Sequence, residues 1–230
     1  MLRERTYDER VTDDAVLLVL WARAQERCGE EAAGDRLKLM KLAFVAAYRL
    51  HTARVKALNL RFYRWRKGPM SNQVSASWTD LVTSRHMIED EEFVVTEQGV
   101  RLADQFRSEV LELPENRYIA SVLDEVGDKF GCLPTDEVLG KVYEMRCYTV
   151  GSPGIQHRIG SIKQGTDIID LLEAPQAEQV LQVPAGWEMT LDLAFDPDAM
   201  WSLNQGVADF HEGRVLTHAQ MWAPEACPNA

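Results

Sequence analysis

The longest apolar stretch in the chain runs from Leu37 to Leu50, where Lys38, Lys41 and Arg49 are the only charges. A surface helix would show one apolar stripe, so this segment predicts a helix buried at the centre of a helical domain. Gly34-Asp35 opens it. Upstream, Val16, Leu17, Leu20, Trp21 and Ala24 recur at helical spacing, which predicts a first helix capped by Thr12 or Asp13 and stopped at Cys28-Gly29. Downstream, Leu60 and Phe62 alternate with Arg61, Tyr63 and Arg64 as a strand, and Gly68-Pro69 ends it because proline has no N–H to give a ladder. A helix then starts near Ser71 and carries Val74, Trp78, Leu81 and Val82.

Short apolar runs at 87–88 and 93–95, separated by four consecutive acids, read as two strands around an exposed turn. Thr96 opens a helix with Val100, Ala103, Phe106 and Val110 on one side. Two more helices follow, one carrying Ile119, Val122, Leu123 and Val126, the other N-capped by Thr135. Residues 149–165 hold four glycines among serines and a proline, and residues 149–187 read as a connecting region. In the last forty residues, Leu191, Leu193 and Phe195 alternate as a strand. Asp196-Pro197 caps a helix with Met200, Leu203, Val207 and Phe210 on one face, Gly213 stops it, and Thr217 to Gln220 forms a capping-box pattern.

These elements predict a mainly α (α+β) protein: a compact multi-helix domain at 1–148 with a small antiparallel β-hairpin or sheet, a connecting region at 149–187, and a C-terminal strand–helix appendage at 188–230. The appendage is too small to bury enough apolar surface by itself, so its stripe must dock on the first domain or on another protein.

Charge sharpens that picture. The chain of 230 residues has net charge −11, and residues 171–230 contribute nine acids against a single base, Arg214. Such a tail is repelled by phosphates and drawn to a basic protein surface. The one dense basic cluster, Arg49, Arg54, Lys56, Arg61, Arg64, Arg66 and Lys67, suits phosphate, an acidic peptide or the chain's own tail, or is a solvated strand face. No apolar segment at the start resembles a leader and no run is long enough to span a bilayer, which predicts a cytoplasmic protein with no membrane partner. Cys28, Cys132, Cys147 and Cys227 lack metal-ligand spacing and read as reduced thiols. The five histidines are not grouped as metal ligands, and no nucleophile elbow or phosphate loop is present, so catalytic, cofactor-binding and metal residues are all expected to be none. Trp65 and Trp78 are expected in the core; Trp201 and Trp222 are expected at a partner interface.

Several of these residues also carry a resemblance. Leu39, Lys41, Leu42 and Tyr48 on the central helix, followed by Phe62, Trp65, Gly68 and Pro69 as F-x-x-W-x-x-G-P and by Ser71 at the next helix start, resemble the Panacea domain of bacterial antitoxins over roughly residues 10–148. Met70 stands where that family often has valine. The tail from Ser202 through Leu203, Val207, Asp209, Gly213, Arg214, Val215 and Thr217 is similar to the neutralising segment of small antitoxins. The resemblance implies a toxin–antitoxin module in which Leu193, Phe195, Trp201, Leu203, Val207, Asp209, Phe210, Glu212 and Trp222 bind a cognate protein toxin and occlude it. It also admits delivery of the toxin to a cellular protease. Residues 93–103 resemble the wing and following helix of winged-helix regulators, which would make DNA a partner through autoregulation, although Glu89, Asp90, Glu91 and Glu92 beside them oppose phosphate contacts.

Overall fold

The computed structural model describes residues 3–29 and 33–214. Thr6, not Thr12 or Asp13, begins the first helix, α1 (Tyr7–Arg27), through a capping box: the Glu9 N–H donates to Thr6 Oγ1 at 3.2 Å, and the Thr6 N–H donates to the Glu9 carboxylate at 3.1 Å. Asp13 therefore falls inside the helix, fully buried. It accepts from the Asn59 N–H at 2.8 Å and pairs with Arg5 at 2.9 Å, which fixes the loop that leads into the sheet.

α2 (Arg36–Thr52) is the buried centre, capped by Asp35 and enclosed over almost all its length. The chain then forms β1 (Val55–Lys56), β2 (Phe62–Trp65) and β3 (Gly68–Met70). Gly68-Pro69 does not end the strand system but returns it: β3 pairs antiparallel with β2 across the Arg66-Lys67 turn, with Pro69 on an edge strand where its missing N–H is harmless. Gly68 is required there by its φ of +91°.

Ser71 caps α3 (Asn72–Thr83), and β4 (Met87–Glu89) pairs with β5 (Phe93–Val95) around the acidic turn. Thr96 caps α4 (Glu97–Phe106), which runs on through a π turn at Arg107–Leu111 that brings Val110 and Leu111 into the core. α5 (Arg117–Phe130) packs on α1 and α2, and α6 (Thr135–Glu144) on α2. Thr135 is the first residue of α6; its hydroxyl meets the Asp35 carboxylate at 3.1 Å instead of capping its own helix.

The segment 149–187 is not a linker. β6 (Arg146–Thr149) and β7 (Ser152–Arg158) form a hairpin, β8 (Asp167–Ile169) adds antiparallel to β2, and β9 (Gln179–Val180) adds parallel to β1. Asn116 fastens the last of these by donating to the Gln182 carbonyl at 2.7 Å and accepting from the Gln182 N–H at 3.0 Å. Residues 191–195 are not a strand either. They end α7 (Ala185–Phe195), because Trp187, Leu191 and Ala194 fall on one helical face that packs against α1, with Trp187 and Leu191 buried.

The compact units divide after Phe195, eight residues later than the sequence boundary at 187, so α7 belongs to the first unit. The second unit contains α8 (Pro197–His211). The mainly α, α+β architecture holds, with a helix in place of the C-terminal strand. Among the described residues no helix is long and apolar enough to cross a membrane.

Candidate functional site

The motif residues meet in the first unit around α2 and the β2–β3 hairpin. Leu39, Leu42 and Phe62 are fully buried core, and Tyr48 accepts at its hydroxyl from the Tyr148 N–H at 3.0 Å. Ser71 is buried as the cap of α3. Lys41 reaches beneath the hairpin, where its ammonium donates to the Pro69 carbonyl at 2.6 Å with only 2% of the residue exposed. A Cβ on Gly68 would sit 3.3 Å from Lys41 Cε, so glycine serves the close passage as well as the φ. Burial, helped by the nearby Arg64 cation, pulls the Lys41 ammonium down to about 7.

Arg64 is buried on the inward face it shares with Phe62, as a period of two requires, and not with Arg61 and Tyr63 where the sequence reading groups it. Its Nε donates to the Ile159 carbonyl at 3.0 Å and its guanidinium lies 5.1 Å over the Tyr143 ring. Tyr143 in turn donates from its hydroxyl to the Arg66 carbonyl at 3.0 Å, which pins the turn. With Phe62 and Arg64 inward, Trp65 is forced outward and is 45% exposed, the reverse of the core placement expected for it; Trp78, on α3, is core.

Trp65 and Trp78 flank a groove of about 440 Å³ whose wall includes Leu37, Met40 and Met70, with Arg36, Arg66 and Lys67 at its rim. Among the described residues no carboxylate lines it. The acids gather in the adjoining hollow, where Glu89, Asp90 and Glu91 face Arg36 and Lys67. Arg36 pairs with Glu89 and stands 5.9 Å from the Trp78 ring, while among the described residues neither Arg66 nor Lys67 has an ion-pair partner. The groove thus combines an aromatic and aliphatic wall with three cationic side chains at its rim.

The rest of the basic cluster is spent internally. Arg49 pairs with Glu125, Arg54 bonds the Gln176 carbonyl, Lys56 pairs with Glu9, and Arg61 pairs with Asp170. The turn before the winged-helix-like segment is acidic and exposed, and within the segment Arg101 is exposed and lies 3.9 Å from Glu97.

The expected tail residues separate. Leu193 and Phe195 lie on α7; Phe195 packs on the core, edge-on to His86 at 5.3 Å. Trp222 and the Thr217 capping pattern lie outside the described residues. The remainder share α8, whose start is secured by Asp196 accepting from the Asp198 and Ala199 N–H groups at 3.0 Å, with Pro197 at the first position.

Leu203, Val207 and Phe210 are 46%, 47% and 68% exposed and form one stripe. Trp201, 66% exposed, stands about 100° around the helix from Met200 and so off that stripe, on the side of Asp209 and Glu212. Those two acids, expected to meet a partner's bases, are engaged by Arg214 of the same chain. A helical-wheel reading of the sequence places Trp201 opposite the stripe; the Arg214 clasp has no signal beyond spacing.

No protein-family model, curated protein or solved structure matches this chain.

Proposed function

We propose that this protein is a cytoplasmic antitoxin that neutralises a protein toxin by laying α8 into the toxin's surface and occluding it. The observation that carries the reading is the exposure of Trp201, Leu203, Val207 and Phe210 on a fifteen-residue helix outside the unit that holds the core. A helix of that length is marginal in water without a docked face. The resemblance of Leu39, Lys41, Leu42, Phe62, Trp65, Gly68, Pro69 and Ser71 to the Panacea motif supports the same reading. In the first unit those residues are chiefly scaffold, with Trp65 the member that faces solvent.

The acidic character of the tail favours a basic toxin surface, and Arg214 is cheaply displaced, since exposed ion pairs contribute about 0–1 kcal/mol. The mechanism makes and breaks no bond.

Co-expression with the neighbouring small reading frame tests it. The full chain should restore growth. A chain ending at Phe195, and the full chain carrying Leu203→Asp with Phe210→Asp, should remain folded by circular dichroism and fail to restore growth. Equal rescue by the folded truncation would overturn the proposal.

A further inference from the structure

The C-terminal ends of α1 and α5 approach until their backbones nearly touch. Two glycines line the approach: a Cβ on Gly131 would lie 2.4 Å from the Gly127 carbonyl oxygen of its own turn and 2.9 Å from Ala24 Cα, and one on Gly127 would lie 2.6 Å from Arg23 Cγ. Gly131 has ordinary right-handed helical φ and ψ, so space, not the sign of φ, demands glycine there. Arg23 and Arg27 clamp the crossing through Asp128 at 3.1 and 2.7 Å.

Cys28, at the cap of α1, and Cys132, just past α5, are brought together by this crossing. Each thiol donates to the carbonyl beside the other: Cys28 Sγ to the Gly131 carbonyl at 2.6 Å, and Cys132 Sγ to the Arg27 carbonyl at 2.7 Å. Cys132 is exposed, so a small oxidant reaches it, whereas Cys28 is partly buried.

A cation completes the site. Lys38 Nζ lies 3.9 Å from Cys28 Sγ, which is its only side-chain partner among the described residues, and its stem is folded over Gly34, where a Cβ would come within 2.5 Å of Lys38 Cδ. Cys147 shows the contrast: it is buried against Tyr48, among the described residues no cation acts on it, and burial pushes its thiol up to about 12.

We propose that Cys28 and Cys132 are a hydroperoxide-sensitive modification site that closes to a disulfide stapling α1 to α5. In the first step the Cys132 thiolate, its proton lost to water, attacks the distal peroxide oxygen. An S–O bond forms and the O–O bond breaks, releasing the alcohol or water and leaving a sulfenic acid. In the second, the Cys28 thiolate attacks Cys132 Sγ; the S–S bond forms, the S–O bond breaks, and hydroxide leaves as water with the proton Cys28 gave up. Two thiols are oxidised to a disulfide and one hydroperoxide is reduced. Burial raises the Cys28 thiol above its usual value, and Lys38 opposes that by favouring the thiolate.

The full chain treated with hydrogen peroxide and digested without reductant should yield a Cys28–Cys132 linked peptide that dithiothreitol removes. Because the bridge closes a loop of about 100 residues, the Tm of the oxidised chain should rise by about 10 °C. Cys132→Ser should abolish both the peptide and the Tm rise. Lys38→Met should leave sulfenic acid formation on Cys132 unchanged and slow ring closure, because the cation that favours the Cys28 thiolate is gone. Recovery of Cys132 only as sulfinic acid, or joined to Cys227 or to a second chain, would overturn the proposal. So would a linked peptide whose formation lowers the Tm, since the native crossing would then not be the bonded geometry.

Discussion

Lys41→Met should make the protein more stable below neutrality than the natural chain, and the gain should disappear in alkali. The ammonium is sealed beneath the hairpin, and among the described residues the Pro69 carbonyl is its one acceptor and no carboxylate acts on it. Burial is the first cause of its depressed pKa and Arg64 the second, bringing it from 10.5 to about 7. The unfolded chain keeps this proton up to pH 10.5, whereas the folded chain releases it near 7. Between those limits the unfolded state binds more protons, so this lysine makes stability rise with pH, and its full penalty stands below pH 7. At about 1.36 kcal/mol per unit, the penalty is on the order of 5 kcal/mol. Methionine keeps the unbranched stem and removes the charge, but strands the Pro69 carbonyl at a pH-independent cost of about 1–3 kcal/mol. Urea denaturation of both chains at about pH 6.5 and 9.5 isolates the effect, because every other titration cancels in the difference. The variant's advantage should shrink by roughly 3 kcal/mol between the two. An unchanged difference would refute the argument that a buried, unpaired ammonium underlies the motif lysine.

Three further outcomes follow from the packing. Asp14, buried in α1 with one carboxylate oxygen lacking any partner, is pushed up to about 8, chiefly by burial. Its contribution to stability is therefore present below the unfolded value of 3.8 and lost as pH rises toward 8. Asp14→Asn should gain on the natural chain by roughly 3–5 kcal/mol between about pH 4.5 and 8 in the same urea assay. Gly99→Ala should cost at least about 3 kcal/mol, because its Cβ would stand 2.2 Å from the His86 carbonyl oxygen and 2.9 Å from Val95 Cγ1, and the first of these is backbone that the β4–β5 hairpin fixes. Trp187→Ala should cost about 3–5 kcal/mol by thermal or urea denaturation, since it empties the site against Phe106 and leaves Glu109 without the indole N–H at 3.1 Å; no loss would show that α7 is not part of the core.

Local grammar made the first 148 residues readable. Asp35, Ser71 and Thr96 each cap the helix they announce, and the four acids at 89–92 mark the turn they occupy. One failure was local, the start of α1, where Thr6 and Glu9 make the capping box six residues before Thr12; most of the others were set by partners far along the chain. β8 and β9 are two or three residues long and pair with strands more than 100 positions earlier, so no period exists in 149–187 to betray them. The basic cluster looked free because Asp170, Glu125 and Glu9, which pair with Arg61, Arg49 and Lys56, lie on other elements. Trp65 was misplaced because Arg64, a charged residue, takes the inward position beside it, which only Tyr143 and the Ile159 carbonyl permit. Leu191, Leu193 and Phe195 fit a period of two as well as a helix, and the packing of Trp187 and Leu191 on α1 decided for the helix.

On the antitoxin reading, the arrangement of α8 limits what kind of toxin surface can receive it. Leu203, Val207 and Phe210 are each about half to two-thirds exposed, so full burial adds about half of the ~1.5–3 kcal/mol that each such side chain is worth from water. Ordering the tail costs about 2–5 kcal/mol, which nearly cancels that stripe. A flat surface meeting the stripe alone would hold the helix weakly. Trp201 lies on the opposite side, beside Asp209 and Glu212, and is the largest single apolar surface that α8 offers. Burying both sides together is what lifts the balance clear of zero, and only a cleft with an apolar floor and a basic wall does so, the helix-in-groove mode of recognition. Affinity and occlusion then have the same origin, since a helix seated in a cleft on both faces also fills it.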